Sequence, residues 1–498
     1  MTTAEAATAT DYEIVIGLEV HSQLLTASKM FCRCPADYAN AAPNTHCCPI
    51  CMGFPGVLPV INEQAVDYMM MTALALHCEI PDFSKFDRKN YFYPDLPKGY
   101  QISQYDRPLS QNGYLIINLH GAEKRIGITR VHLEEDTGRL AHINEDGDSY
   151  SLVDLNRAGV PLMEIVSEPD MRSPEEARLY MEKLRSILVY LGVSSGKMEE
   201  AALRCDANIS VRPRGQQEFG VKTEIKNMNS FRAVERALTY EAQRQIEELK
   251  AGRTIVQSTR GWIEDRGVTV LQRVKENSDD YRYFPEPDLP PLVISREWVE
   301  GLRARLPELP DAARERLERD YGLSSYDAEQ LTAERALASY FEAALKAGKP
   351  DKGGDQAARA KAVANWMLGD LRRLLNAASL DIAESKVSPA GLAELLDMMD
   401  AGTISGKQAK DVLEKAFASG QSPKAVVEAE GISQLSDTGE LESIVESVIA
   451  ENPKAVEDFH SGKASAVQFL MGQVMKRTKG RARPDVVIPL LQSKLGQA

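Results

Sequence analysis

Four cysteines form two closely spaced pairs in the first part of the 498-residue chain. They are Cys32 and Cys34, with one residue between them, and Cys48 and Cys51, with two. Zn²⁺ takes four thiolates in a tetrahedron, and a closed set of four ligands leaves no position for a substrate. The spacing therefore predicts a structural zinc knuckle over residues 31–53, with free cysteines as the alternative. Cys47 competes with Cys48 as a ligand, but the two-residue spacing to Cys51 favours Cys48.

Polar side chains recur at alternate positions of several strand-like segments. Because successive side chains of a strand point to opposite faces, each set would share one face of a sheet. The sets are Glu19 and His21; Asp206, Asn208 and Ser210; and Lys222, Glu224 and Lys226. A further segment, Ile126–Asp136, ends in His132, Glu134, Glu135 and Asp136.

These side chains suit a particular chemistry. The carboxylates together offer oxygen ligands of the kind that Mg²⁺ prefers, and Arg204, Lys222 and Lys226 beside them are suited to hold phosphate. The alternative is that the polar sets are only the solvated faces of an antiparallel sheet. Known nucleotide motifs do not decide between the two, because Gly192–Met198 is one residue short of a P-loop and no Gly-x-Gly-x-x-Gly is present.

The elements that would position these residues change character near residue 290. Before it, short alternating runs predict a sheet domain, interrupted by helices at Pro174–Leu191 and Phe231–Leu249. The four prolines of Tyr281–Leu292 cannot continue a helix or a central strand. Beyond them, apolar residues recur with helical spacing. We therefore expect an α+β protein, with a loose tail over 1–11, a sheet domain over 12–292, an all-helical domain over 293–405 and a small all-helical tail domain over 406–498.

The charge balance limits the partners of the chain. Lys and Arg number 59 against 73 Asp and Glu, which gives a formal net charge of −14. Any contact with nucleic acid therefore needs a local basic patch. One such patch lies near the carboxyl end at Lys476, Arg477, Lys479 and Arg481, and a solvated helix end is its alternative interpretation. No secretion signal and no apolar run of roughly 20 residues is found, so we expect a cytoplasmic protein without a membrane partner.

One segment resembles a known family. Phe86–Gln101, with the sequence FDRKNYFYPDLPKGYQ, resembles the signature of the B subunit of the glutamyl/aspartyl-tRNA amidotransferase, a bacterial and organellar heterotrimer. Further similar segments are Val15–Val20 with His21, Cys48–Asn62, Thr129–Gly138, Asp154–Asp170, Leu203–Ser210, Glu224–Phe231 and Asp279–Pro287. The resemblance extends over essentially the whole chain.

The resemblance implies both an architecture and a reaction. The first domain would be a large cradle-shaped antiparallel sheet with a kinase site, followed by a helical domain and a small helical tail that binds tRNA. The reaction would convert mischarged Glu-tRNA(Gln), Asp-tRNA(Asn) or both to the amidated form. Because a carboxylate is a poor acyl electrophile, ATP would first phosphorylate it. Ammonia would come from a glutaminase A subunit, and a small C subunit would complete the heterotrimer.

The resemblance also implies roles for particular residues. Glu19, His21 and Glu135 match the metal-binding positions of the family, and we expect them to hold Mg²⁺ for phosphoryl transfer. Asp206 and Glu224 are added to these expected Mg²⁺ ligands only because they lie on the polar strand faces, and the resemblance does not name them. The remaining assignments are Arg204, Lys222 and Lys226 to ATP, and Lys476, Arg477, Lys479 and Arg481 to tRNA.

Two alternatives stay open. The chain could be a zinc-stabilised scaffold that binds tRNA while a partner carries the chemistry. It could also be the archaeal-type paralogue that acts only on Glu-tRNA(Gln). That paralogue contains an additional inserted domain, for which there is no room between residue 290 and the tail.

Overall fold

The computed structural model describes residues 11–145, 148–274, 281–349, 355–431, 438–461, 463, 465–478, 482 and 484–496. The chain divides into two compact units, Met1–Leu309 and Pro310–Ala498. Of the tail expected over residues 1–11, only Asp11 belongs to the described residues, and its carbonyl oxygen accepts a hydrogen bond of 2.9 Å from the backbone nitrogen of Arg214.

The first unit is built on strands. In chain order they are β1 (Tyr12–Gln23), β2 (Phe83–Ser84), β3 (Asp87–Asn90), β4 (Tyr100–Ser103), β5 (Ser110–Leu119), β6 (Ala122–Glu135), β7 (Arg139–Glu145), β8 (Asp148–Asp154), β9 (Pro161–Ser167), β10 (Leu203–Pro213), β11 (Thr223–Met228), β12 (Ser258–Ile263), β13 (Val268–Val274), β14 (Phe284–Pro285) and β15 (Leu292–Val293). Eight of them form one large sheet in the order β13-β12-β11-β10-β1-β9-β6-β5. Small sheets join β14-β3-β4, β15-β2 and β7-β8.

The large sheet confirms the expected α+β class. Its neighbouring strands are antiparallel, with one exception, the parallel pair of β11 and β12. A parallel pair needs a long crossover connection, and the helix Phe231–Lys250 supplies it between these two strands. The alternating pattern of the sequence indicated β11 but neither β12 nor the parallel pairing of the two strands.

The helices among the described residues of the first unit are α1 (Glu63–Ala75), α2 (Pro174–Leu191), α3 (Phe231–Lys250) and α4 (Arg296–Arg303). Helix α2 begins where the sequence predicts, because the Ser173 side chain accepts a hydrogen bond of 3.2 Å from the backbone nitrogen of Glu176. It ends at Gly192, whose φ of 70° is readily adopted only by glycine. Helix α4 packs into the core of this unit through Val299 and Leu302.

The core lies on one face of the large sheet. Along β1, Ile16, Leu18 and Val20 are fully buried in the cluster that also contains the inner faces of the helices. The intervening Glu19 and His21 project from the opposite face. This division leaves a polar face on which side chains from several strands meet.

The second unit is helical in all its described elements, as expected. The helices are α5 (Pro310–Tyr321), α6 (Ser325–Leu331), α7 (Arg335–Ala347), α8 (Gln356–Trp366), α9 (Arg372–Ala378), α10 (Pro389–Asp400), α11 (Gly406–Ser419), α12 (Pro423–Glu430), α13 (Thr438–Glu451), α14 (Pro453–His460), α15 (Ser465–Arg477) and α16 (Pro484–Leu495). A π-helical turn, Met367–Leu371, joins α8 to α9, and a short 3₁₀ turn spans Ile382–Glu384.

Two hydrophobic clusters lie in this unit. One runs from Leu317 to Val427 and includes residues of α11 and α12, whereas the other runs from Leu441 to Leu495. The domain limits expected at 292/293 and 405/406 stay predictions. In the described part of the chain, no helix has both the length and the apolar character that crossing a membrane requires.

Candidate functional site

Four side chains from three adjacent strands meet on the polar face of the large sheet, and we call them the carboxylate–histidine cluster: His21, His132, Glu134 and Glu164. Strand register produces the meeting, because Glu164 of β9 is paired with His21 of β1 on one side and with His132 of β6 on the other. Glu164 Oε2 lies 3.6 Å from His21 Nε2 and 3.4 Å from His132 Nε2. Glu134 lies 3.8 Å from each histidine.

This arrangement offers a metal-binding geometry. One ligand atom each from His21, Glu134 and Glu164 lies within 4.8 Å of the other two. The two carboxylates are hard oxygen donors of the kind that suits Mg²⁺ together with phosphate oxygens, whereas the imidazole is a nitrogen donor that suits transition-metal ions better. The donor set therefore fits a divalent cation.

The cluster is strongly coupled electrostatically. Burial lowers the pKa of His21, but its hydrogen bond to Glu164 and the nearby carboxylate charges raise it more, so that the pKa reaches about 9. Burial also lowers the pKa of His132, but the charge of Glu164 and hydrogen bonds to Glu134 and Glu164 outweigh it, so the pKa is raised above its usual value. Burial raises the pKa of Glu164, but the charge of His132 and hydrogen bonds from both histidines lower it well below the usual value. The carboxylates are thus held ionised in a buried site. A cation bound here would take the place of the proton on His21, because only the neutral imidazole is a ligand.

Lys89, in the Phe86–Gln101 segment, and Ser103 just beyond it complete the surroundings of the cluster. Burial would lower the pKa of the half-buried Lys89, but the nearby charges, Glu134 and Glu164 among them, raise it. Ser103 Oγ donates a hydrogen bond of 3.1 Å to Glu134 Oε2. The segment that resembles a family signature therefore delivers a cation to the site.

Glu135 projects away from this cluster. It follows Glu134 along β6, so the alternation of the strand turns its side chain to the other face. Its Oε1 is paired with the ammonium group of Lys98 and accepts a hydrogen bond of 3.0 Å from the backbone nitrogen of Ile102. The assignment of Glu135 to the metal stays a prediction, and the geometry favours Glu134 and Glu164 in its place.

A second polar row lies beside the cluster on β1, β10 and β11. Glu19 is paired in register with Asp206, and its Oε1 accepts a hydrogen bond of 2.9 Å from Asn208 Nδ2. Lys226 Nζ lies 2.6 Å from Asp206 Oδ2 and 3.0 Å from Glu224 Oε1. The structure thus places Glu19, Asp206 and Glu224 on the predicted face, next to the three-ligand group but not within it.

The three residues assigned to ATP have different surroundings. Arg204 donates a hydrogen bond of 3.0 Å to Asp136, and Lys226 is balanced by its two carboxylates. Lys222 is exposed and lines a cavity of about 300 Å³ beside Glu19 and Asn208. Of the three, Lys222 is best placed to meet an incoming phosphate.

The four cysteines predicted to bind zinc come together. The sulfur atoms of Cys32, Cys34, Cys48 and Cys51 lie within 4.8 Å of one another, whereas Cys47 Sγ lies 3.8 Å from Asn156 Oδ1. The hydrogen bond from Cys32 lowers the pKa of the Cys51 thiol, and the nearby charge of Lys29 acts in the same direction. Four convergent sulfurs fit a closed tetrahedral zinc site.

A fully buried lysine supports this knuckle. Lys29 Nζ lies 3.7 Å from Cys51 Sγ and donates to the carbonyl oxygens of His46 and Leu155, at 2.7 and 3.3 Å. Between the knuckle and Glu135 lies a cavity of about 220 Å³ that Lys98 and Tyr100 also line.

The basic patch of the tail is described only in part. Lys476 and Arg477 are exposed in the last turn of α15, and Arg477 Nη1 lies 2.8 Å from Glu451 Oε1. Lys479 and Arg481 lie outside the described residues.

The sequence pattern placed Glu134 among the carboxylates suited to Mg²⁺, but the ligand assignment took Glu135 in its place. The sequence analysis gave His132 no role at the metal, and it gave no role to Glu164 or Lys89. Glu164 stands at an alternate position of Leu162-Met163-Glu164-Ile165-Val166, a lone acid in an apolar run, and this was a usable signal. Only strand register, which the sequence does not give, shows that it faces His21.

Comparison with known proteins identifies the class of this chain. Residues 14–300 match the GatB/GatE catalytic domain, and residues 339–495 match the GatB domain. The chain is 57% identical over 488 residues to the B subunit of the aspartyl/glutamyl-tRNA(Asn/Gln) amidotransferase of Carboxydothermus hydrogenoformans, and the match covers 98% of this chain and 99% of that one. The corresponding protein of Moorella thermoacetica is 58% identical over 97% of this chain and all of its own length. The chain belongs to the family of aspartyl/glutamyl-tRNA amidotransferase B subunits, which confirms the resemblance.

Proposed function

We propose that this chain is the component of an aminoacyl-tRNA amidotransferase that activates the side-chain carboxylate of mischarged Glu-tRNA(Gln), Asp-tRNA(Asn) or both. The observation that carries the proposal is the convergence of His21, Glu134 and Glu164 within 4.8 Å on an otherwise polar sheet face. The names of the relatives, which are amidotransferase subunits acting on these tRNAs, support the substrate class.

The proposed reaction has two steps. An oxygen of the aminoacyl carboxylate attacks the γ-phosphorus of ATP, so that an acyl phosphate forms and ADP leaves. Ammonia then attacks the carbonyl carbon, phosphate leaves with the C–O bonding pair, and a proton is lost from nitrogen. Phosphorylation is needed because the carboxylate itself has no adequate leaving group.

His21, Glu134 and Glu164 would hold Mg²⁺ in this site. The bound ion supplies charge neutralisation for the phosphoryl group. The residues of the chain mostly position the reactants: Lys222 reaches an incoming phosphate from the cavity beside Glu19, and the half-buried Lys89 offers a positive charge on the other side. Such positioning accounts for most of the catalytic effect in phosphoryl transfer.

Further parts of the proposal rest on the family. The ammonia would come from a glutaminase A subunit, and a small C subunit would complete a heterotrimer, in keeping with the naming of the relatives as B subunits. The four cysteines would hold a structural zinc ion, and the basic residues near Lys476 would contact the tRNA backbone.

The test is an assay of ATP consumption and amidation by the full chain in complex with its partner subunits, with each mischarged tRNA and with ammonium chloride as the nitrogen source. We expect ATP consumption that depends on the mischarged tRNA. A Glu164→Gln variant should assemble and bind tRNA but lose both activities. If Glu164→Gln and Glu135→Gln both consume ATP as the wild type does, the chain is the tRNA-binding scaffold of the alternative interpretation.

A further inference from the structure

Two tyrosines form a parallel stack beside the carboxylate–histidine cluster. Tyr105 follows β4 and Tyr283 precedes β14, and their ring centroids lie 4.3 Å apart with planes 8° from parallel. Tyr281 meets Tyr283 edge-on, with centroids 6.1 Å apart. Tyr105 is 59% exposed, so much of the outer ring of the stack stays open to solvent.

The stack is connected to the cluster through β4. Ser103, two residues before Tyr105, donates the 3.1 Å hydrogen bond to Glu134 Oε2. On the other side of the stack, Lys89 Nζ lies 5.0 Å from the ring centroid of Tyr281. A planar group resting on Tyr105 would therefore lie next to the cluster.

The backbone around the stack is fixed by specific hydrogen bonds. The backbone nitrogen of Tyr105 donates to Asp87 Oδ2 at 3.0 Å. Asn90 Nδ2 donates to the carbonyl oxygens of Tyr281 and Arg282 at 3.1 and 2.8 Å. Arg282 has a φ of 44°, a left-handed conformation that costs energy in a non-glycine residue. The surrounding structure thus maintains the position of the rings at some energetic cost.

An open aromatic face next to basic side chains fits an unpaired nucleic-acid end. Any base can stack on such a ring, and cationic side chains nearby neutralise the phosphates. The exposed Arg107 lies two residues after Tyr105, and the exposed Arg282 lies directly before Tyr283.

We propose that the Tyr105–Tyr283 stack is the platform for the unpaired 3′-terminal base of the aminoacyl-tRNA, placing the esterified amino acid in the carboxylate–histidine cluster. This inference rests on the proposed function and adds the site at which the substrate terminus is held. The adenine of ATP is the competing occupant. The cavity beside Glu19 and Lys222, lined also by Phe219, offers ATP a separate place on β1, β9 and β10.

The experiment uses tRNA whose terminal adenine is replaced by 2-aminopurine, a base whose fluorescence is quenched when it stacks. The labelled tRNA is mixed with the full chain in its complex, without ATP. We expect quenching with the wild type and with Tyr105→Phe, which keeps the ring, and a loss of quenching with Tyr105→Ala. Tyr150→Ala, at a tyrosine that is 47% exposed on β8, is the matched control and should behave as the wild type.

Steady-state kinetics give the second readout. Tyr105→Ala should raise the KM for the mischarged tRNA about tenfold, the order expected for one lost stacking contact, while the KM for ATP stays unchanged. Unchanged quenching in Tyr105→Ala, or a rise in the KM for ATP in place of that for tRNA, would overturn the inference. Failure of the proposed function would look different, because the wild type would then quench the labelled tRNA without consuming ATP.

Discussion

Glu164 is the residue on which the proposed chemistry depends most, since one of its oxygens contacts both histidines of the cluster. Its carboxylate stays ionised in a buried position only because both imidazoles favour the charge. A buried carboxylate with such partners is typical of sites that bind a cation or transfer a proton.

Replacing Glu164 or Glu134 with Gln should lower the rate of tRNA-dependent ATP consumption by roughly a hundredfold or more. The reason is that a lost ligand removes several kcal/mol of charge stabilisation from the transition state. Glu168→Gln, at an exposed position just after β9, is the matched control. The measurement also decides between two assignments, because a comparable loss in Glu135→Gln with normal rates in Glu164→Gln would return the metal to the position expected from the family resemblance.

Lys29 gives a second prediction at the scale of the residue. Lys29→Met keeps the length of the side chain but removes the ammonium group that contacts Cys51 and two carbonyl oxygens. Groups that hold a metal ligand in place typically change metal affinity by about 10–100-fold. We therefore expect the full chain with Lys29→Met to bind zinc about 10–100-fold more weakly than the wild type in competition with a chelator. Arg33→Met, at an exposed position between Cys32 and Cys34, should leave the affinity unchanged, and equal affinities in both variants would contradict the prediction.

At the scale of elements, helix α3 is joined to the edge of the sheet by one fully buried acid. Glu241 accepts hydrogen bonds from Arg244 and Gln245 of its own helix and from Thr269 of β13. Arg260 of β12 lies 3.4 Å from the same carboxylate. The parallel pairing of β11 and β12 therefore depends on a crossover helix that is fixed by charge as well as by apolar contact.

Glu241→Gln should destabilise the protein by about 2 kcal/mol at neutral pH, less than a fully buried pair would cost because both arginines keep part of their surface in water. Burial raises the pKa of Glu241, but its hydrogen bonds lower it more, to below the usual value of 4.5. The stabilisation is thus complete above pH 4.5 and is lost as the pH falls through the folded-state pKa.

Differential scanning calorimetry of the wild type and the variant tests this dependence. The difference between their unfolding temperatures should be largest near neutral pH and should shrink on acidification. Glu248→Gln, on the same helix but at an exposed pair with Arg253, should have little effect. A difference that grows as the pH falls would show that the sign is wrong.

The elements also show what the sequence could and could not predict. Alternation along β1 correctly separated Ile16 and Leu18 from Glu19 and His21, because a strand has only two faces. The Ser173 cap fixed the start of α2 for a similarly local reason. Pairing register is not local, so the meeting of Glu164 with both histidines could not be read from spacing. Glu135 is a second example. It matches a metal-binding position of the family, but the sequence does not reveal that its side chain is paired with Lys98.

At the scale of the whole molecule, the negative net charge restricts where a tRNA can bind. A chain of net charge −14 that brings several carboxylates to one sheet face would repel a phosphate backbone. A tRNA must therefore be held by a surface separate from the site that receives its 3′ end. The basic run near residue 480 is the candidate in the sequence.

We expect the triple variant Lys476→Ala, Lys479→Ala, Arg481→Ala to bind tRNA more weakly and with a smaller dependence on salt. Each phosphate contact contributes about 0.9, or less on single strands, to the slope of log K against log salt concentration, so the slope should fall by about two to three. Arg477 is left in place because it is paired with Glu451. Lys494→Ala, at a lysine paired with Glu446, is the matched control for the loss of a positive charge.

Phosphoryl transfer at saturating tRNA should persist, because the carboxylate–histidine cluster lies wholly in the first unit. An unchanged affinity and an unchanged salt slope in the triple variant would assign these residues to a solvated helix end and leave tRNA binding to another surface.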